Sequence, residues 1–584
     1  MFVADLFRSF QPLLNPIGFG ASDFVELGLT ALLVMLMLVR PWLEPFARRL
    51  AEKTGWCMLL FVALPVALRL LLLPHHPAPV PQVYDEFSHL LVADTLRHFR
   101  LANPQHPLPQ FFETFFVLQR PTYSSIYPIG QGLALALGRL IFRVPWAGVV
   151  LSAAALCSLC YWMLRAWTTP VWAFMGGLLA VCEFGPLNLW MNCYWGGALA
   201  AAAGCLVFGA LPRLREYGRM RDGVWLGLGV AMSLLTRPYE SIFLVLSVIL
   251  FFMPMLGKRA GIRSLARALP AAVAIVLAGL AITALQNKQV TGSWTTLPEA
   301  LSQYQYGVPA ALTFQPIPIP HRELTPQQQL DYKMQVAFRE SATETIGSYL
   351  RRLEYRVRYY RFFFYAPLYV ALLVFVVTVR EFRFVWVLVT LLLFALGVNF
   401  FPAFQFHYVA ACTCLFVLMS VEGLRQLSRV RREAALLILF LCAAQFLLWY
   451  GLHVFDDREI SLAMRRYETW DAINHRIPDQ RVSVQEQLAH APGKQLVFVR
   501  YWPGHIFQNE WVYNQADIDH ARLVWARDLG TEENEKLRRY YPDRTAWLLE
   551  PDARPPKLSR YEPRPVPPAQ RSQPKYKMEL EQVH

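Results

Sequence analysis

Two acids stand side by side at Asp85 and Glu86, inside Tyr84-Asp85-Glu86-Phe87-Ser88-His89. Adjacent carboxylates can take a proton as a general base or hold a divalent cation. The same pair can also serve structure alone, with Asp85 capping a helix over Phe87 to Phe99 and Glu86 complementing its dipole. Three other stretches carry residues able to join such a site. Arg120 to Pro128 supplies Arg120, Tyr123 and Tyr127. Thr236-Arg237-Pro238-Tyr239-Glu240 supplies an arginine whose partner is either Glu240 or a phosphate. Gln405-Phe406-His407-Tyr408 supplies a histidine that is either a hydrogen-bonded packing residue or a member of the site. Asn188, Trp190, Asn192, Tyr194 and Trp195 combine aromatic faces with amides, which suits a sugar and equally suits a membrane-interface belt. A divalent ion on Asp85 and Glu86 is the one cofactor these residues suggest. No Walker A, HExxH, zinc spacing or nucleophile elbow occurs, so nucleotide-driven transport and metalloprotease chemistry have no support.

Membrane spans must position these residues. The chain of 584 residues is 55% hydrophobic and 17% charged, against roughly 25% charge in a soluble domain. Its apolar runs have the length that crosses a hydrocarbon core of about 30 Å. About twelve spans are expected: 24–40, 57–74, 147–166, 171–188, 195–211, 223–236, 241–256, 269–286, 364–379, 383–399, 405–421 and 434–452. Arginine and lysine crowd alternate loops, at Arg48, Arg49 and Lys53, at Arg213 to Arg221, at Lys258 to Arg267, at Arg380 and Arg383, and at Arg425 to Arg432. Positive-inside bias makes these loops cytoplasmic and places Asp85 and Glu86, the loop 287–363 and the C-terminal region outside. The net charge of +14 therefore reflects topology, and nucleic acid is not expected as a partner. All nine cysteines lie in or beside apolar runs, so no disulfide framework is implied. The first 23 residues show no small-residue cleavage site after a short apolar core.

Two loops are too long for simple connections. Four prolines (Pro74, Pro77, Pro79, Pro81) end the span before 75–146. Gln131 to Phe142 is apolar, and counting it as a span would reverse every later loop. It reads instead as a helix on or dipping into the interface. In 287–363, the basic and aromatic end Arg351 to Arg361 is either an interface-lying helix or a wall for a phosphate. The chain divides into 1–56 with the first span, a core over 57–452, an α/β domain over 453–552 and a disordered Pro/Arg/Lys-rich tail over 553–584. The α/β domain is expected to hold a helix at 457–476, strands at Gln495–Tyr501, Trp511–Asn514, Arg522–Ala526 and Ala546–Leu549, and a helix at Thr531–Tyr540.

Asp85-Glu86 in the first large outer loop, Pro121-Thr122-Tyr123, Tyr127-Pro128, Gly130-Gln131-Gly132, Tyr194-Trp195-Gly196-Gly197, Arg237-Pro238-Tyr239-Glu240 and His407-Tyr408 form a pattern. It resembles the GT-C superfamily of integral-membrane glycosyltransferases, specifically bacterial relatives of the dolichyl-phosphate-mannose protein mannosyltransferases, over roughly residues 57–450. Similar sequences carry a lysine before the Tyr-Pro pair, where this chain has Ile126, so Arg120 or Arg237 covers that role or the donor differs. The resemblance implies inverting sugar transfer from a polyprenyl-phosphate donor in the plasma membrane, with the site on the extracytoplasmic face. Asp85 would be the general base, and Glu86 would orient the acceptor or help hold a divalent ion. Arg120, Tyr127, Arg237, Glu240, His407 and Tyr408 would face the donor's phosphate and sugar. The acceptor is a glycan, a lipid or a protein, and membrane lipid seats the donor's tail. The rival reading is a transporter or lipid flippase. Carriers place charges near the midplane and often show inverted repeats, whereas these charges sit at one edge and no repeat is evident. A third reading makes the spans an anchor for a working C-terminal domain.

Overall fold

The computed structural model describes residues 21–256, 259–339, 343–455 and 479–562. The helix expected over 457–476 lies outside the described residues. In chain order the helices are α1 (Ala21–Ala51), α2 (Thr54–Leu71), α3 (Tyr84–Arg97), α4 (Ile129–Phe142), α5 (Trp146–Trp167), α6 (Pro170–Phe184), α7 (Ala198–Tyr217), α8 (Met220–Thr236), α9 (Pro238–Leu256) and α10 (Arg259–Thr291). There follow α11 (Pro298–Tyr306), α12 (Pro326–Ala337), α13 (Ile346–Val357), α14 (Leu368–Thr378), α15 (Phe382–Val398), α16 (Thr413–Val430), α17 (Arg432–Phe455), α18 (Asp479–His490) and α19 (Thr531–Tyr540). Among the described residues eight helices are long and apolar enough to cross a membrane, or nine if the bent pair ending in α14 counts as one span. Of the twelve expected spans, eight fall on those helices, 171–188 and 383–399 fall on the shorter apolar α6 and α15, and 223–236 falls on α8. The stretch 364–379 becomes the 11-residue α14, bent by 114° from the helical segment before it. The chain is a polytopic helical membrane protein with a small α/β region.

The chain separates into two compact units. The first holds α1 to α17, with Phe507–Glu510 from the far end of the chain. Its centre is α5, α7 and α16: the span Phe406–Val430 is 94% buried, against 6% for Phe24–Ala51, so α16 is core and α1 faces lipid. Five of the first six residues of α7 are Ala, which lets α5 and α8 approach it closely and pack without a hydrophobic drive between lipid-soluble helices.

The strongly amphipathic α13 carries much of the basic and aromatic stretch Arg351 to Arg361. Arg352 donates to Asn399 O at 2.8 Å, and Arg356 donates to Val398 O at 3.0 Å. Both guanidiniums are buried and satisfy the carbonyls that end α15, which a helix leaves unpaired. Arg358 lies 3.5 Å over the Tyr355 ring. This is a strap, and its buried arginines are already committed to backbone.

The second unit comprises His106–Glu113 and the described residues of 479–506 and 511–562. Its sheet has the order β4-β3-β5-β6, from β3 (Lys494–Val499), β4 (Leu523–Arg527), β5 (Arg544–Glu550) and β6 (Lys557–Arg560). The first three are parallel, with α19 crossing from β4 to β5, and β6 closes one edge antiparallel. Trp511–Asn514 forms no strand. Asn514 instead brackets Trp525 with its side-chain amide, at 2.8 Å to both the backbone N and O. The strand β6 corrects part of the expected disordered tail. Its lysine and arginine belong on an edge strand, where charge discourages further pairing. His106–Glu113 was expected only as part of the core's loop, yet Arg527 Nε donates to Glu113 O at 2.6 Å and Phe111 lies 6.4 Å from Phe498.

Candidate active site

Proline sets the entry to α3. Arg69, 1% exposed at the end of α2, donates to Asn192 Oδ1 at 2.8 Å, His76 O at 2.9 Å and Pro77 O at 3.1 Å. It thereby pins the proline-rich segment that delivers Asp85. Val83 is extended and α3 begins at Tyr84, so both acids fall in the first helical turn.

Their environments then part. Glu86 is 5% exposed, and its carboxylate accepts backbone N–H groups of Gln82 at 2.7 Å, Val83 at 3.2 Å and Tyr194 at 2.8 Å. Those bonds close the helix start and tie α3 to the segment before α7. Its oxygens are occupied, which differs from the expectation of a catalytic or metal-holding Glu86. Asp85 is half-buried and accepts a short hydrogen bond from the Tyr127 hydroxyl at Oδ1. Burial lifts the Asp85 carboxyl above the usual carboxylate range, while the Tyr127 bond and the Arg237 charge oppose that shift.

A hairpin of β1 (Val117–Leu118) and β2 (Ser124–Ser125) carries Tyr127. Ser88 Oγ on α3 donates to Phe116 O at 2.6 Å and lies 2.7 Å from Ser125 Oγ, so the two acids and Tyr127 share one frame. Gln286 Nε2 on α10 donates to Tyr127 O at 2.9 Å. His89 stacks on the Tyr127 ring with centroids 4.1 Å apart. Burial and the Arg237 charge push its imidazole down to about 3, so it is neutral. His89 was not singled out from sequence, although its spacing of four from Asp85 puts both on one helix face.

Arg237 ends α8, and Pro238 opens α9. Among the described residues its guanidinium makes no ion pair, and it lies 5.6 Å over the Tyr408 ring. Its charge reaches Asp85, His89, Glu240, Glu299 and His407. Glu240 is 4% exposed, with Oε1 unpartnered among the described residues. The expected choice between Glu240 and a phosphate thus finds no direct Arg237–Glu240 bond. His407 packs edge-on against Trp195 at 5.7 Å and Tyr408 at 4.8 Å. Arg120 stands apart: its side chain is exposed, and its carbonyl accepts from Gln305 Nε2 at 2.9 Å. Of the two arginines named to stand in at Ile126, the structure therefore brings Arg237 to Asp85.

Asn188 and Asn192 spend their amides on the fold. Asn188 accepts from Trp190 N at 2.9 Å, and Asn192 donates to Pro186 O and Asn188 O, each at 2.9 Å. Sequence reading missed Asp331 on α12. It is fully buried, held by Gln335 Nε2 at 3.0 and 3.1 Å, and lifted to about 7 by burial, with the Asp85 charge adding to that. Nothing in the local sequence marks it, because a lone Asp in Pro326–Ala337 reads as a solvated helix face. Among the described residues no three His, Cys, Asp or Glu side chains group as a metal site. With Glu86 occupied, the residues do not fit a divalent cage built on the acid pair.

The helix α4 fixes the spacing between Asp85 and Arg237. A Cβ on Gly132 would lie 2.3 Å from Val92 on α3, and one on Gly130 would lie 2.6 Å from the Leu235 carbonyl on α8. Gly130→Ala is expected to push α8 from α4, at a cost of about 1–3 kcal/mol. A lowered thermal midpoint with weakened donor binding is the outcome to measure, and an unchanged protein would show that this contact does not set the spacing.

The fold is one already seen in a solved structure. It is similar to ArnT from Cupriavidus metallidurans bound to undecaprenyl phosphate, with a TM-score of 0.50 and 11% identity over 85% of this chain and 93% of that one. The apo form of the same ArnT gives 0.47 and 12% identity over the same shares. Archaeal oligosaccharyltransferase AglB from Archaeoglobus fulgidus, with an inhibitory peptide and dolichol-phosphate, gives 0.38 and 11% identity over 84% of this chain and 69% of that chain. No family model matches the sequence, and no curated protein matches it.

Proposed function

We propose that this chain is a membrane glycosyltransferase that moves a sugar from a polyprenyl-phosphate donor to an acceptor hydroxyl on the extracytoplasmic face. One observation carries the reading. A half-buried carboxylate positioned by Tyr127 shares its surroundings with Arg237, a cation that pairs with no carboxylate among the described residues. The undecaprenyl phosphate bound by the ArnT of similar fold supports the choice of donor class.

In the proposed reaction the acceptor oxygen attacks the anomeric carbon as the bond from that carbon to the phosphate oxygen breaks. The bonding pair leaves with the polyprenyl phosphate. The acceptor's proton passes to Asp85 Oδ2, since Oδ1 already accepts from Tyr127. Negative charge grows on the departing phosphate, and Arg237 stabilises it there. Tyr408 and His407 wall the donor side, and Glu240 awaits a sugar hydroxyl through its unpartnered oxygen. Glu86 positions α3, and Arg120 lies outside this reaction. Sidedness follows from the basic loops.

The test incubates the purified full chain with a panel of polyprenyl-phosphate sugars and follows release of polyprenyl phosphate, with and without EDTA. Release from at least one donor is expected, and release from none would refute the proposal.

The pH dependence has a definite sign. Asp85 must be ionised to accept a proton, so transfer falls as pH drops through its raised pKa. Tyr127→Phe removes a hydrogen bond to the charged form, which raises that pKa further. The acid limb of the rate profile is expected to move to higher pH, and a limb that stays put or moves lower would detach Tyr127 from Asp85.

A further inference from the structure

The first unit contains a cavity that this reaction does not use. A slot of about 530 Å³ opens between α1, α6 and α17, within the size range of ligand pockets. Its walls are apolar, with Leu36 and Leu43 on α1, Trp172 and Leu178 on α6, and Leu436 and Ala443 on α17. From Val171 to Cys182, and from Arg432 to Ala443, it follows the helices for about 16 Å. A slot walled by three helices admits a flexible hydrocarbon chain but not another helix, which is about 10 Å across.

One end is polar. Arg48 pairs with Glu44 at 2.8 Å, Arg40 pairs with Glu433 at 2.7 Å, and Arg432 also pairs with Glu44. Three guanidiniums thus meet two carboxylates, leaving one positive charge. The Arg48 and Arg432 side chains are 60% and 52% exposed, able to turn towards a headgroup. This end is far from Asp85. Helix α17 runs from Arg432 to His453, about 30 Å at 1.5 Å per residue, and the His453 carbonyl accepts from His76, just before α3. A donor reacting at Asp85 cannot place its phosphate here.

We infer that this slot binds one acyl chain of an anionic phospholipid, its singly charged phosphodiester lying among Arg40, Arg48 and Arg432. The apolar walls fit the chain, and the residual charge fits a phosphatidylglycerol headgroup better than a zwitterionic one.

Native mass spectrometry of the purified full chain in mild detergent tests this, with dioleoyl-phosphatidylglycerol and dioleoyl-phosphatidylcholine as probes. One phosphatidylglycerol per chain is expected, held about tenfold more tightly than phosphatidylcholine. Ala443→Phe fills the slot and is expected to abolish retention. Ala47→Phe fills it from the opposite wall and gives the same reading should the first variant fail to fold. Arg48→Gln with Arg432→Gln is expected to erase the preference between the two lipids. Equal retention of both lipids by the unaltered chain, or undiminished retention by a folded slot-filling variant, would overturn the inference. So would displacement of the bound phosphatidylglycerol by undecaprenyl phosphate, which would make the slot part of the donor site.

Discussion

Asp85→Asn is expected to lower sugar transfer by about 10²–10⁴-fold, the usual worth of a positioned general base. The amide keeps the volume and can still accept from Tyr127, so the frame of α3 and the hairpin should persist. It cannot take a proton from the acceptor. Donor binding should not weaken, because a neutral amide no longer repels the donor phosphate. The measurement pairs turnover with a direct donor-binding isotherm. Lost turnover with intact binding fits the base; full turnover removes Asp85 from the reaction.

Arg237→Gln is the second large effect, expected at about 10²–10³-fold in kcat, the scale on which a group aimed at developing charge acts. The guanidinium is half-buried and makes no ion pair among the described residues, so its charge is available to a leaving phosphate. Arg237→Lys should recover part of the rate, since lysine keeps the charge but loses the two-pronged geometry. The acid limb of the rate profile should also move to higher pH, because Arg237 favours ionised Asp85. A kcat unchanged by Arg237→Gln, with only KM raised, would assign Arg237 to uniform binding instead.

Most spans were legible in sequence because apolar length and loop charge are strong signals: eight of the twelve expected stretches fall on helices long and apolar enough to cross a membrane, and the other four fall on shorter helices. Asp85 and Arg237 could be singled out because each breaks a local rule. One is an acid pair after a proline run, and the other is an arginine in a loop otherwise free of basic residues. What stayed hidden depends on contacts distant in the chain. Glu86, expected to orient the acceptor or help hold a divalent ion, instead accepts from the Tyr194 amide, over a hundred residues away. Asp331 carries no local mark. The Asn188 to Trp195 stretch suits a sugar or an interface belt equally by composition, but burial turns the Asn188 and Asn192 amides inward. Edge strand β6 was lost in a charged, proline-rich composition that also describes disorder.

A base on one side and a stabilised phosphate on the other require a single displacement at the anomeric carbon. NMR assignment of the anomeric configuration in donor and product tests that directly. Inversion is the predicted result. Retention would demand a covalent sugar intermediate on a protein nucleophile and would contradict the roles given to Asp85 and Arg237.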